Sequence, residues 1–285
     1  MGSSVACFSS PHHITALFRA VKGPSPSQSG SIGVGLAVSP RARLCLGVEG
    51  EVGYPTPPHY TIVARRLGVG LPAARVSSPL PPGVGYAVSA ASAVLGALAA
   101  SYLGRVPLLR ALRVAHSVEV EMSTGLGDVS AIGCGLGLVV RHTPGPPGLS
   151  EVDCIPIDGS LVVVSGERGP MPTGELIGVY SSERVMSAVS RALGRVLRDP
   201  SLDRMLEEAG YVARELGLDR ILVGVDGSRV ERLDGVLGFY VKKRMIVVVA
   251  DARAAGRVSE VLSGFGLRVR LLSPSGSPPS MDLLW

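Results

Sequence analysis

One stretch constrains this chain more than any other. Residues 80–103 read LPPGVGYAVSAASAVLGALAASYL. A proline-glycine loop (Pro81, Pro82, Gly83, Gly85) opens directly into a long run of small apolar residues. The run holds no proline and no charge, and its alanines favour helix. The first turn of a helix leaves N–H groups unpaired, and its dipole adds partial positive charge, so a glycine-rich loop feeding such a turn suits an anion. A Cβ there would hold the backbone away from a phosphate. Three readings compete: a membrane span, a plain buried helix after a turn, and a phosphate loop. The length approaches the ~20 apolar residues a bilayer requires. Alanine, serine and glycine dominate, however, and no second segment pairs with this one as a span, so a helix packed inside a soluble domain is the expectation. The loop lacks the GxxxxGK-Ser/Thr spacing of the P-loop and does not by itself separate the last two readings.

Composition narrows the class. At 285 residues and 29.4 kDa, the chain can form one large domain or two small ones with ample core. It is 46% hydrophobic with a mean hydropathy of +0.35, which excludes general disorder. The formal net charge is +5, but the arginines are scattered rather than blocked. A nucleic-acid patch is therefore not indicated, and the basic balance also suits a small anionic substrate. Of the 28 basic residues only Lys22, Lys242 and Lys243 are lysine. Cys7, Cys45, Cys134 and Cys154 show no CxxC pairing, so free thiols in a reducing cytosol are expected. The N-terminus lacks a basic region followed by a long apolar run, and no signal peptide is expected.

In chain order, residues 5–20 read as a strand with a turn at residues 10–15. Residues 23–35, GPSPSQSGSIGVG, read as a loop. Apolar runs at 36–38, 44–48 and 60–63 are predicted strands, with a turn at 55–58. A helix is predicted at 105–115. Residues 115–148, AHSVEVEMSTGLGDVSAIGCGLGLVVRHTPGPPG, are the richest in polar candidates. On pattern alone, Glu119 and Glu121 read as exposed strand carboxylates and Asp128 as a turn residue. A strand is predicted at 160–164 and helices at 183–197 and 201–216, with Ser182 as a cap and Asp199-Pro200 as a break. Strands at 221–225, 238–241, 245–249 and 267–271, with a helix at 252–262, give a ferredoxin-like α+β pattern. Residues 273–285 read as a loose tail.

Taken in order, these segments resemble the GHMP kinase superfamily of galactokinase, homoserine, mevalonate and phosphomevalonate kinases. Pro82-Gly83-Val84-Gly85-Tyr86-Ala87-Val88-Ser89-Ala90 follows its PxGxGLGSSA pattern, with Ala87 in place of a glycine and Val88 in place of the first serine. Pro11-His12-His13-Ile14-Thr15-Ala16-Leu17-Phe18 resembles the PGHITGFF-like segment of one branch, the archaeal pantoate kinases, with His12 and Ala16 in place of glycines. Gly30-Ser31-Ile32-Gly33-Val34-Gly35 is similar to that branch's GSxGAG, and TGLGDV at 124–129, followed by Arg141, Pro144-Gly145 and Pro147-Gly148, is similar as well. The superfamily's third glycine motif is poorly kept, with Val236-Leu237-Gly238-Phe239 as its best remnant.

The resemblance implies an α+β GHMP kinase fold with an N-terminal half similar to a ribosomal-protein domain and a ferredoxin-like C-terminal half. Residues 1–155 and 156–285 are the expected domains. It implies ATP phosphates on Pro82, Gly83, Val84, Gly85, Tyr86, Ala87, Val88 and Ser89. It also implies Mg2+ on Ser89 and Glu119, because magnesium keeps several waters and asks few ligands of the protein. Asp128 is the implied general base. The implied substrate is pantoate, whose carboxylate calls for a forked donor. Arg141 is the candidate, with His13 as a second donor and Thr173 as a hydroxyl. Without the resemblance, Arg141 reads as a surface arginine at a strand end and the histidine pair as a solvated turn. The implied activity is transfer of the ATP γ-phosphate to the primary hydroxyl of (R)-pantoate, giving (R)-4-phosphopantoate for coenzyme A biosynthesis. The alternatives are a mevalonate- or homoserine-type kinase, or an RNA-binding module sharing the N-terminal fold. A cytoplasmic protein with no nucleic-acid or membrane partner is expected, and a homodimer is allowed.

Overall fold

The chain begins with two 17-residue strands, β1 (Val5–Val21) and β2 (Gly30–Leu46), paired antiparallel across a short loop. The computed structural model describes residues 5–284. Along β2, Ile32, Val34, Leu36 and Val38 alternate with glycine and alanine, while residues 6–17 of β1 are buried on both faces. The predicted turn at residues 10–15 is instead strand. Register shifts fall between Ser10 and His12 and between Thr15 and Leu17, and a bulge is one of the few places a sheet accepts a proline such as Pro11. The predicted loop at 23–35 shrinks, because residues 30–35 belong to β2, and the short strands expected at 36–38 and 44–48 are one continuous strand.

β3 (Gly50–Gly53), α1 (His59–Arg66), β4 (Ala74–Ser78) and α2 (Val88–Gly104) follow. Residues 60–63, predicted as strand, lie in α1, where Val63 and Ala64 bury against α2; packing overrides the β preference of Tyr-Thr-Ile-Val. α2 is buried on nearly every side, as its uniform apolarity demands. Its small residues let α1 approach closely: a Cβ on Gly96 would lie 2.4 Å from the Tyr60 carbonyl. Ser92 on α2 donates to the Pro57 carbonyl at 2.6 Å and accepts from the Tyr60 N–H at 3.2 Å. Among the described residues no helix is long and apolar enough to cross a membrane.

α3 (Leu108–Glu121) and α4 (Asp128–Cys134) complete this layer. α3 extends well past residue 115, so Glu119 faces inward with Ala115 and Val118 rather than lying on an exposed strand. β5 (Leu138–Arg141) pairs with β2 and with β6 (Val152–Ile155).

The second half comprises β7 (Leu161–Glu167), α5 (Thr173–Tyr180), α6 (Glu183–Arg198), α7 (Leu202–Glu215), α8 (Ser228–Glu231), β8 (Val236–Lys242), β9 (Met245–Asp251), α9 (Ala255–Gly264), β10 (Arg268–Pro274) and β11 (Ser280–Leu284). Ser182 caps α6, accepting from the Val185 N–H at 3.4 Å. The order β10-β7-β9-β8, antiparallel throughout, is the ferredoxin-like arrangement read from the sequence. The strand expected at 221–225 is a π-helical turn at Asp219–Val223. The expected tail is largely ordered: β10 pairs with β2, and β11 pairs with β1, while Trp285 lies outside the described residues. One core cluster runs from Ile14 and Leu36 through Val164 to Val248. Each such fully buried aliphatic side chain contributes about 1.5–3 kcal/mol.

The expectation of four free thiols is corrected. Cys7–Cys45 and Cys134–Cys154 are disulfides. Cys7 and Cys45 face each other in the β1–β2 ladder, and Cys134 at the end of α4 meets Cys154 on β6. The first pair is created by strand register and the second by packing of α4 on β6, neither of which sequence spacing reveals.

Candidate active site

A cavity of about 340 Å³ opens between the two halves. Its floor is the loop before α2. Gly83 (φ +80°) and Gly85 (φ +131°) turn the chain, and Ala87 enters the helix in the left-handed region (φ 55°, ψ 38°). No side chain caps α2 and no acid lies in its first turn. Its free N–H groups and positive dipole end therefore face the cavity uncompensated.

Ser89 on α2, Glu119 on α3 and Asp128 on α4 converge beside this loop. Ser89 Oγ donates to Glu119 Oε1 at 2.6 Å, and Thr124 Oγ1 donates to the same oxygen at 3.3 Å. Glu119 is 2% exposed, and its Oε2 is buried without a hydrogen-bond partner. The loop at residue 125 must be glycine for this arrangement, since a Cβ there would lie 2.4 Å from Oε2. Burial, and secondarily the nearby Asp128 charge, push the Glu119 carboxyl up to about 8.

Asp128 opens α4, where the helix dipole favours a carboxylate. His13 Nδ1 lies 2.8 Å from Asp128 Oδ1, and Thr15 Oγ1 donates to that oxygen at 3.3 Å. Burial holds His13 down at about 4, despite Asp128, so the ring is neutral and gives its Nδ1–H to the carboxylate. Burial alone would raise Asp128. The His13 hydrogen bond and the cations Lys242 and Arg141 outweigh it and keep Asp128 ionised, below the usual carboxylate range.

Arg141, at the end of β5, is 2% exposed, and its Nε and Nη1 are buried with no hydrogen-bond partner. A Cβ on Gly127 would lie 3.0 Å from Nε, so the guanidinium lies directly behind the chain that leads into Asp128. Burial lowers its pKa and Asp128 opposes the shift. An unpaired buried cation is costly, and one that lines a cavity is ready for an anion.

Pro82, Gly83, Gly85, Ala87, Val88, Ser89, Asp128, Arg141 and Thr173 all line this cavity. Val84 and Tyr86 turn away from it into the core, and Tyr86 Oη bonds Ser165 at 2.7 Å. His13 stands behind Asp128 rather than on the wall, and Glu119 stands behind Ser89. His12 alternates to the other face of β1, where Nδ1 meets the Tyr86 carbonyl at 3.2 Å.

The wall residues that sequence reasoning missed include Thr15, His59, Thr124, Lys242 and Lys243. His59 Nε2 meets Thr124 Oγ1 at 2.9 Å. Lys243 Nζ donates to the carbonyls of Met171 (2.8 Å) and Gly83 (3.2 Å) and to Thr173 Oγ1 (3.3 Å). It staples the loop before α2 to the start of α5 from the two-residue turn between β8 and β9, where its φ is +54°. The signal was present: two of only three lysines in the chain are adjacent.

This constellation has counterparts among known proteins. The model of the GHMP kinases N terminal domain matches residues 59–136. A pantoate kinase of Thermococcus kodakarensis is 29% identical over 280 residues, spanning 90% of this chain and 91% of that protein. A pantoate kinase of Methanospirillum hungatei is 33% identical over 231 residues, spanning 72% of this chain and 76% of that protein. The structure of a "phosphotransferase related to CoA biosynthesis pathway" shares the fold with a TM-score of 0.77 at 24% identity, over 98% of both chains. A mevalonate-3-kinase from Thermoplasma acidophilum shares it with a TM-score of 0.62 at 13% identity, also over 98% of both. The fold is that of the GHMP kinases, and the chain belongs to their pantoate kinase family.

Proposed function

We propose that the chain transfers the γ-phosphoryl group of ATP to the primary hydroxyl of (R)-pantoate, giving (R)-4-phosphopantoate for coenzyme A biosynthesis. The single observation that carries the acceptor class is Arg141: a buried guanidinium with unpaired nitrogens, on the wall shared by the phosphate loop and Asp128. Such a fork matches a carboxylate. Phe18 and Leu176 add apolar wall for the branched methyl groups of pantoate. The names of the relatives support the same acceptor.

Phosphoryl transfer requires positioning and charge neutralisation more than covalent assistance. The loop of residues 82–89 holds the phosphates at the start of α2. Asp128, ionised and oriented by His13 and Thr15, accepts the proton of the attacking hydroxyl. The acceptor oxygen bonds to phosphorus, the bond from the γ-phosphorus to its bridging oxygen breaks, and ADP leaves with that electron pair. Thr173 and Lys243 fix the loop from the opposite side. In this reading residues 1–155 supply the acids and the loop, and residues 156–285 close the site.

Ser89 and Glu119 fit a magnesium ion. A hydroxyl and an orphaned carboxyl oxygen are hard oxygen donors, and magnesium asks few ligands of the protein. Once bound, the ion would neutralise charge on the phosphates. The test is a panel of pantoate, mevalonate and homoserine with ATP and Mg2+, followed by phosphorus NMR of the product. Transfer to pantoate is expected; transfer to mevalonate or homoserine instead would overturn the assignment.

A further inference from the structure

Lys242 lines the same cavity and has no role in the reading above. It ends β8, on the hairpin opposite α2. Lys243 is fully engaged in its staple. Among the described residues Lys242 Nζ makes no hydrogen bond or ion pair, and its nearest described contact is the Phe18 ring, 5.0 Å from Nζ to the centroid. Its stem passes beside the phosphate loop: a Cβ on Gly85 would lie 3.0 Å from Lys242 Cγ. Its charge is felt by Asp128 and His13 on the acceptor side. One flexible ammonium thus stands over the seam between the phosphate cradle and the acceptor pocket.

We propose that Lys242 is a catalytic residue that bridges the two substrates, its ammonium contacting the oxygens of the phosphoryl group as it moves from ATP to the acceptor. This rests on the kinase reading above. A charge contact made to the group in flight strengthens as the phosphoryl oxygens develop charge, so it should appear in kcat rather than in KM. Burial, against the pull of Asp128, brings the Lys242 amine down to about 8. A triphosphate at this place supplies the anion that returns it upward.

The test uses Lys242→Met and Lys242→Arg in the full chain, with circular dichroism and thermal melting confirming the fold. Lys242→Met should lower kcat about 100-fold or more, while KM for ATP and for the acceptor changes less than about threefold. Lys242→Arg should recover part of kcat. A loss confined to KM, or kcat within threefold of the parent chain, overturns the proposal. A second readout needs no turnover. With only three lysines in the chain, carbon-13 labelling at the ε position resolves Lys242 by comparison with Lys242→Met. Its titration should move up by about one pH unit or more on addition of a non-hydrolysable ATP analogue, and an unmoved titration overturns the proposal. If pantoate is not phosphorylated but another acceptor is, the acceptor assignment fails and the same variants judge Lys242 with that acceptor. If no acceptor turns over, the labelled titration alone decides.

Discussion

Replacing Arg141 with methionine separates a ligand-binding arginine from a structural one, because the two roles predict opposite signs. The guanidinium is almost wholly buried, and two of its nitrogens lack partners. A buried ion carries an effective penalty of several kcal/mol, and Asp128 offsets only part of it through Coulomb attraction. Methionine keeps much of the stem and fills irregular space. The free protein should therefore become more stable, by about 1–3 kcal/mol. At ~2–4 °C per kcal/mol for chains of this size, the melting temperature rises by several degrees. The acceptor, in contrast, loses a buried charge-assisted pair of about 2–5 kcal/mol. At 1.36 kcal/mol per tenfold, kcat/KM for pantoate falls about 30- to 5,000-fold, with KM for ATP nearly unchanged. The assay is initial-rate ADP release across a pantoate series, beside a thermal melt of the same preparation. A variant that melts earlier while retaining its KM for pantoate would refute the argument and return Arg141 to a structural role.

Other outcomes follow from the same geometry. Burial lowers His12, His13 and His59 to about 4 from 6.5, so the unfolded chain binds more protons between those values and stability is lost as pH falls through this window. Glu119 acts oppositely, since its raised folded value gives stability that is lost as pH rises toward about 8; denaturant unfolding should therefore be most resistant near pH 6.5, and Glu119→Gln should flatten the alkaline side. Glu119→Gln and Ser89→Ala should each raise the Mg2+ concentration needed for half-maximal rate by about tenfold or more, measured at fixed ATP; an unchanged requirement removes these two from the magnesium site. Ala87 has φ +55°, where a β-branched side chain is strained, so Ala87→Val should cost about 1–2 kcal/mol in urea unfolding while Ala87→Gly is tolerated.

Local chemistry was legible from the chain itself where it repeats or punctuates. The small-residue run before Leu103 could only be a closely packed helix or a membrane span, and its proline-glycine opening is of a kind that suits an anion. The alternation of strands and amphipathic helices after residue 160 disclosed the ferredoxin-like half, down to the cap at Ser182. Ser89, Glu119, Asp128 and Arg141 were named because their types and order match a kinase pattern, and the fold brings them together. What the chain could not state was distance. Residues 60–63 carry strand-forming side chains, yet contact with α2 makes them helix. Cys7 and Cys45 meet only because β1 and β2 pair in one register, and His13 meets Asp128, 115 residues away, only because β1 packs beside the start of α4. Lys242 and Lys243 reach the loop at Gly83 and Gly85 only when the second half folds over the first. Secondary structure follows from interactions a few residues apart and so is written locally; the site joins groups more than a hundred residues apart, and only the closing of the sheet through β2 and β10 determines which of them share a wall.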